Sequence, residues 1–202
     1  PMPQLATDDV LVRVVNASVN PVDWKIREGH AQSMLSYSFP LILGWDVSGV
    51  VEAVGESVTR FKVGDAVFSR PDIKRDGTYA EYVAIRENEL AHKPKTVSHA
   101  EAASLPLAGI TAWEVLITTA RITSRQRVLI HAGAGGVGSL AIQLAKTRGA
   151  YVIATASGKN VSLVRSLGAD EVIDYRTQAF EKVVKDVDVV FDTLGGQVQD
   201  VS

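Results

Sequence analysis

Apolar residues in the first half of the chain come in short runs broken by glycines and charged residues. Residues 10–15 (VLVRVV) are rich in β-branched side chains and predict a strand. Residues 47–54 predict a second strand, ending at Gly55. Residues 61–68 predict two short apolar runs around a Gly64-Asp65 turn, and residues 79–84 a further strand. One helix interrupts the series at Asn20-Pro21-Val22-Asp23. Asn caps, Pro suits the first turn, and Asp complements the positive helix end; Gly29 stops it. Many short strands with glycine turns predict a small barrel or sandwich over residues 1–98.

The pattern changes near residue 100. Residues 100–103 and 110–119 read as helical, with Pro106 and Gly109 between them. Strands and helices then alternate: strand 128–132, helix 139–148, strand 151–155, helix 161–167 closed by Gly168, strand 172–173, helix 180–184 and strand 187–191. The order βαβαβαβ predicts an α/β doubly wound parallel sheet over residues 99–202. In the spatial order 3-2-1-4-5-6 these are the first four strands, and Val189-Val190-Phe191 becomes an edge. The alternation stops there, and Pro1-Met2-Pro3 is no translation start. The chain is therefore expected to belong to a longer protein, incomplete at the end of the doubly wound sheet.

Composition narrows the chemistry. Apolar residues at 46% and charged residues at 22% exclude disorder. A net charge of -2 argues against a nucleic-acid partner. No apolar run approaches the roughly 20 residues that span a bilayer, and no secretory signal is present, so no membrane is expected and the expected location is cytoplasmic. The absence of cysteine excludes disulfides, thiolate zinc sites, iron–sulfur clusters and a cysteine nucleophile. His30, His92, His99 and His131 are scattered without ligand spacing and read as surface or core residues. No Tyr-x-x-x-Lys and no Gly-x-Ser-x-Gly occurs, which disfavours a short-chain dehydrogenase and a serine hydrolase.

Gly133-Ala134-Gly135-Gly136-Val137-Gly138 satisfies G-x-G-x-x-G, directly after a predicted strand and opening a predicted helix. In that context Gly133 permits the tight turn and Gly135 lets the backbone approach a pyrophosphate. Gly138 lets the helix pack against the sheet, and free N–H groups at the helix start face the phosphates. An NAD site places an acid about 20 residues further on. Here no acid occurs between Ser139 and Ala169, while Ser157 offers a hydroxyl and Lys159 a cation. The expected cofactor is NADP(H), with a merely solvated Lys159 as the competing reading.

The string Ile130-His131-Ala132-Gly133-Ala134-Gly135-Gly136-Val137-Gly138, preceded by Leu105-Pro106-Leu107-Ala108-Gly109-Ile110-Thr111-Ala112, resembles the zinc-free quinone oxidoreductase (zeta-crystallin-like) branch of the medium-chain dehydrogenase/reductase superfamily. So do Ser18-Val19-Asn20-Pro21-Val22-Asp23, Phe61-Lys62-Val63-Gly64-Asp65 and Tyr79-Ala80-Glu81-Tyr82. The resemblance runs from about Val10 to Gly196. It implies a GroES-like β-barrel catalytic domain followed by a Rossmann domain, with the active site in the cleft. The superfamily's zinc alcohol dehydrogenases carry Cys and a Gly-His-Glu segment; here that segment is Gly44-Trp45-Asp46 and no Cys exists.

The implied chemistry is metal-free hydride transfer from NADPH to a quinone or an α,β-unsaturated carbonyl. The alternatives are an enoyl thioester reductase of the same superfamily and a non-catalytic NADPH-binding protein. Asn20 matches a family asparagine in the catalytic cleft, against a simple helix cap. Thr111 matches a threonine beside the nicotinamide, against helix packing, and Tyr175 a tyrosine on the adenosine phosphate side, against a strand-edge aromatic. Lys25 stands where some relatives carry a cleft tyrosine. Trp24 is expected to fill the barrel, and Asp46 to shape the former metal pocket or to pair with a cation. Relatives are commonly homodimers, which is the expectation for the full-length parent.

Overall fold

The structure, a computed structural model, describes residues 2–200 and 202. It divides into two compact units, Pro1–Leu107 and Ala108–Ser202.

In the first unit, β1 (Asp9–Ala17), β2 (Val47–Val54), β3 (Ala66–Ser69), β4 (Tyr82–Arg86) and β5 (Leu90–His92) form one antiparallel sheet in the order β4-β1-β2-β3-β5. It is a half-barrel: the end strands β4 and β5 are not paired with each other among the described residues. Alternate side chains point inward. Val10, Val12, Val47, Val51, Val67, Val83, Ile85 and Leu90 pack into one core with Phe61. At about 25 cal/mol per Å² of apolar area, such burial is the main term holding the strands together.

Two expectations shift here. Residues 61–65 form no strand: Gly64 takes φ 91°, and among the described residues the segment's backbone bonds to β2 are Gly64 N–H to Val51 O and Val51 N–H to Asp65 O. β4 begins at Tyr82, because the amides of Gly77, Thr78 and Tyr79 bond to Ile42, Gly44 and Leu43 instead. The helix α1 (Pro21–Arg27) has Asn20 at its N-cap position. The helix α2 (His99–Ala103) packs on β1 and β2. His99 Nδ1 lies 2.8 Å from the buried Ser48 hydroxyl, which donates to Val67 O. The helix α3 (Pro106–Trp113) runs straight through Gly109, and Pro106 opens it rather than breaking it, since a first-turn N–H has no helical acceptor to lose. A π-helical turn continues over Glu114–Thr119.

In the second unit, β6 (Arg127–Ile130), β7 (Tyr151–Ala156), β8 (Glu171–Asp174) and β9 (Val189–Phe191) form a parallel sheet in the order β8-β7-β6-β9. The helices are α4 (Gly136–Thr147), α5 (Val161–Ser166), α6 (Phe180–Val183) and α7 (Gln197–Asp200). Strand residues alternate between two cores. Val128, Ile130, Val152 and Ala154 pack with Ala141, Ile142 and Ala145 of α4. Leu129, Ile153 and Ile173 pack with Phe180, Val184 and Val190 on the other face. Burial on both faces explains why these strands read as continuous apolar runs. The expected order is observed, with β9 at the end of the sheet among the described residues.

Candidate functional site

The glycine loop leaves the sheet at the C-terminal end of β6, the central position. Its divisions of labour differ from those read off the motif. The left-handed residue of the turn is Ala132 (φ 51°), not Gly133. Gly133 is glycine because a Cβ there would sit 3.0 Å from the Ala154 Cβ and 3.1 Å from Ile142 Cδ1. Gly138 packs against the turn rather than the sheet: its Cβ would meet Ala132 O at 2.3 Å. Gly135 and Gly136 are exposed, and a Cβ on Gly136 would meet nothing within 4 Å. The Gly135 N–H is used by Ala132 O, whereas the amides of Gly136, Val137 and Gly138 have no acceptor among the described residues. Ala134 and Val137 pack against the α4 core and hold the loop down. The result is an open cradle of unpaired N–H groups at a helix start, which fits a pyrophosphate.

The loop is anchored from both neighbouring strands. Ala132 N–H donates to Thr155 Oγ1 at 3.2 Å and Gly133 N–H to Thr155 O at 2.8 Å, while His131 N–H donates to Phe191 O at 3.0 Å. The buried His131 ring stands 3.1 Å from Thr155 Oγ1 through Nδ1 and edge-on to Phe180. Burial pushes its pKa below the ordinary histidine value. It is therefore a core histidine, as the sequence predicts.

The structure brings Ser157, Lys159 and Tyr175 to the same end of the sheet. Ser157 is buried at the end of β7 and Lys159 is exposed on the following turn. Tyr175 is 56% exposed and its N–H reaches Ala156 O at 3.2 Å. Beside them lies a cavity of about 550 Å³ lined by His131, Thr155, Tyr175, Phe180, Leu194 and Val198. Asp174, at the end of β8, and Arg176, on the turn after it, also stand in this corner; both lie beyond the chain interval that follows the glycine loop.

The first unit holds a second constellation. Asn20 is braced rather than free: its Nδ2 donates to Asp46 Oδ2 at 2.8 Å, and its backbone N–H donates to Asp23 Oδ2 at 2.7 Å. Asp46 is fully buried and also accepts from Ser18 Oγ (2.9 Å) and Leu107 N–H (2.8 Å). Burial raises its pKa, opposed by those three bonds. Its partners are neutral donors, and among the described residues no cation pairs with it. The Tyr79 hydroxyl donates to Asp23 Oδ2 at 2.6 Å, and burial together with that carboxylate pushes the phenol well above its ordinary pKa. Trp24 does not fill the half-barrel. It is 45% exposed, with the Lys25 ammonium 5.8 Å from its ring centroid, whereas Trp45 is fully buried. Thr111, in the second unit, is half-buried on α3.

Residues 6–95 match the family described as Alcohol dehydrogenase GroES-like domain, and residues 136–202 the family described as Zinc-binding dehydrogenase. The two halves of the chain thus match two dehydrogenase families. An NADPH-dependent alkenal/one oxidoreductase of Arabidopsis thaliana is 46% identical over 96% of this chain and 52% of that protein. A quinone oxidoreductase structure from Coxiella burnetii is 38% identical, with a TM-score of 0.87 over 98% of this chain and 63% of that one. A mycobacterial structure complexed with NADPH is 33% identical, with a TM-score of 0.89 over 100% of this chain and 63% of that one. The chain thus spans about half the length of the curated relatives it matches. The superfamily's zinc does not fit these residues. The chain has no cysteine, and among the described residues no group of three or more His, Cys, Asp or Glu is placed to hold a metal.

Proposed function

We propose that this chain carries the catalytic and nucleotide-loop portions of a zinc-free, NADP(H)-dependent reductase of quinones and α,β-unsaturated carbonyls. The observation that carries the reading is the cradle at the end of β6, with three amides at the start of α4 that have no acceptor among the described residues. Bound NADP(H) supplies the hydride, and an acceptor that is already electrophilic needs no metal to polarise it. The amides of Gly136, Val137 and Gly138 hold the pyrophosphate, while Gly135 keeps the approach clear. Ser157, Lys159 and Tyr175 recognise the adenosine end. Asn20, held by Asp46 within the first unit, and Thr111 of the second unit are the residues that the family resemblance assigns to the reacting end, where orientation contributes much of such catalysis. The small-molecule acceptors named for the alkenal/one and quinone relatives support the substrate class.

The test is NADPH oxidation at 340 nm by the full natural protein with phenanthrenequinone and with an alkenal, and with EDTA as control. The expected result is EDTA-insensitive turnover. Activity lost to EDTA overturns the metal-free reading. Turnover of a crotonyl thioester alone makes the protein an enoyl thioester reductase, and binding without turnover makes it a nucleotide-binding protein.

A further inference from the structure

The sequence interval after the glycine loop holds no acid, but the fold delivers one from elsewhere. β7 and β8 are parallel neighbours with Ala156 opposite Asp174. A Cβ built on Gly158 would lie 2.6 Å from Asp174 Oδ2. The carboxylate therefore stands where a side chain on residue 158 would begin. That position, about 20 residues past the glycine loop, is the one from which an acid reaches the ribose hydroxyls in dinucleotide domains. Asp174 is half-buried, and its Oδ1 accepts the Arg176 N–H at 3.0 Å, which fixes the group. Its Oδ2 has no hydrogen-bond partner among the described residues. Two cations share the corner: the Lys159 and Arg176 side chains are exposed, with no ion pair or hydrogen bond among the described residues.

We propose that Asp174 is a specificity-determining residue of the nucleotide site, accepting from the ribose 2′-hydroxyl of NADH and opposing the 2′-phosphate of NADPH. This rests on the dinucleotide reading above. Lys159 and Arg176 supply the counter-charge for the phosphate, so the site takes both nucleotides. Charge-assisted hydrogen bonds are roughly twice as strong as neutral ones, so a carboxylate at this position weighs on the choice.

The experiment is calorimetric titration of the full natural protein with NADPH and with NADH. Asp174→Asn keeps an oxygen acceptor for the Arg176 N–H, removes the charge and turns the other oxygen into an amide donor. It is expected to tighten NADPH and weaken NADH, shifting the ratio of the two Kd values by about tenfold or more, as a lost hydrogen bond to a charged group implies. Lys159→Ala and Arg176→Ala are expected to weaken NADPH while leaving NADH. An Asp174→Asn protein with the parent's circular dichroism and a Kd ratio within about twofold of the parent's overturns the proposal. So does a parent that binds NADPH and shows no NADH binding. A parent that binds neither nucleotide overturns the dinucleotide reading itself, so the two failures are distinct.

Discussion

Arg75→Ala tests how the first unit keeps a buried charge. The Asp9 side chain is 1% exposed, and the Arg75 guanidinium meets it with two parallel bonds of 2.7 Å. One further donor, the Ala6 N–H at 3.0 Å, completes its shell. Bidentate bonding to Arg75 holds the Asp9 carboxyl below the usual carboxylate range, against the opposing effect of burial. Truncating Arg75 leaves a charge in the core with one neutral donor. Breaking a buried pair from one side costs about 3–5 kcal/mol, and the partial exposure of Arg75 places this case near 3. With a urea m-value of about 1–3 kcal/mol per M, the midpoint should fall by at least about 1 M at pH 7. The sign with pH follows from the depressed folded-state pKa. The contribution is present above the unfolded value near 3.8 and is lost as pH falls through the folded one. The gap between wild type and Arg75→Ala should therefore narrow in acid. Asp9→Val combined with Arg75→Ala should recover much of the loss, because the orphaned charge is gone. A loss below about 1 kcal/mol, the worth of an exposed pair, refutes the reasoning, as does a double variant no more stable than the single one.

Gly138→Ala should lower the melting temperature and abolish NADPH binding, since its methyl would meet Ala132 O at 2.3 Å; Gly136→Ala, in open space, should fold normally yet bind NADPH at least about tenfold more weakly by titration. Burial depresses the His131 pKa, so the unfolded chain takes up a proton below about pH 6.5 that the native state does not. Stability should fall from there toward acid, and His131→Gln should flatten that slope in urea titrations at a series of pH values. Asp46→Ala leaves Asn20 Nδ2, Ser18 Oγ and the Leu107 N–H without their acceptor. It should cost on the order of 2–3 kcal/mol by urea unfolding and lower kcat more than KM, as expected when a positioning network is lost.

The doubly wound half was legible because its signals are local. Strands buried on both faces read as apolar runs, and the glycine string fell between a strand and a helix, as its chemistry requires. What the motif could not show is which backbone atoms crowd each glycine: the turn's left-handed residue is Ala132, and only the packed structure reveals why Gly133 must be bare. The strand-rich half was less legible, since segments such as 61–65 and 77–79 pair through isolated bonds and carry the composition of strands without a ladder. The nearness of Asp174 to residue 158 was not legible, because strand pairing folds a residue from later in the chain back onto that corner. Trp24 reads as a barrel filler because large aromatic rings are usually enclosed, and only tertiary context shows its ring to be 45% exposed.

The nucleotide loop is tied on one side to Thr155 of β7 and on the other to Phe191 of β9. The second tie joins residues far apart in the chain, and β9 meets β6 through parallel pairing. Non-local parallel pairing is slow to form, because the entropy of closing the intervening chain is lost before any contact repays it. In refolding, competence to take up a nucleotide should therefore lag behind the return of helical signal. A ligand that binds only the finished loop would capture molecules late, at the step when β9 docks, and would slow unfolding more than it speeds folding.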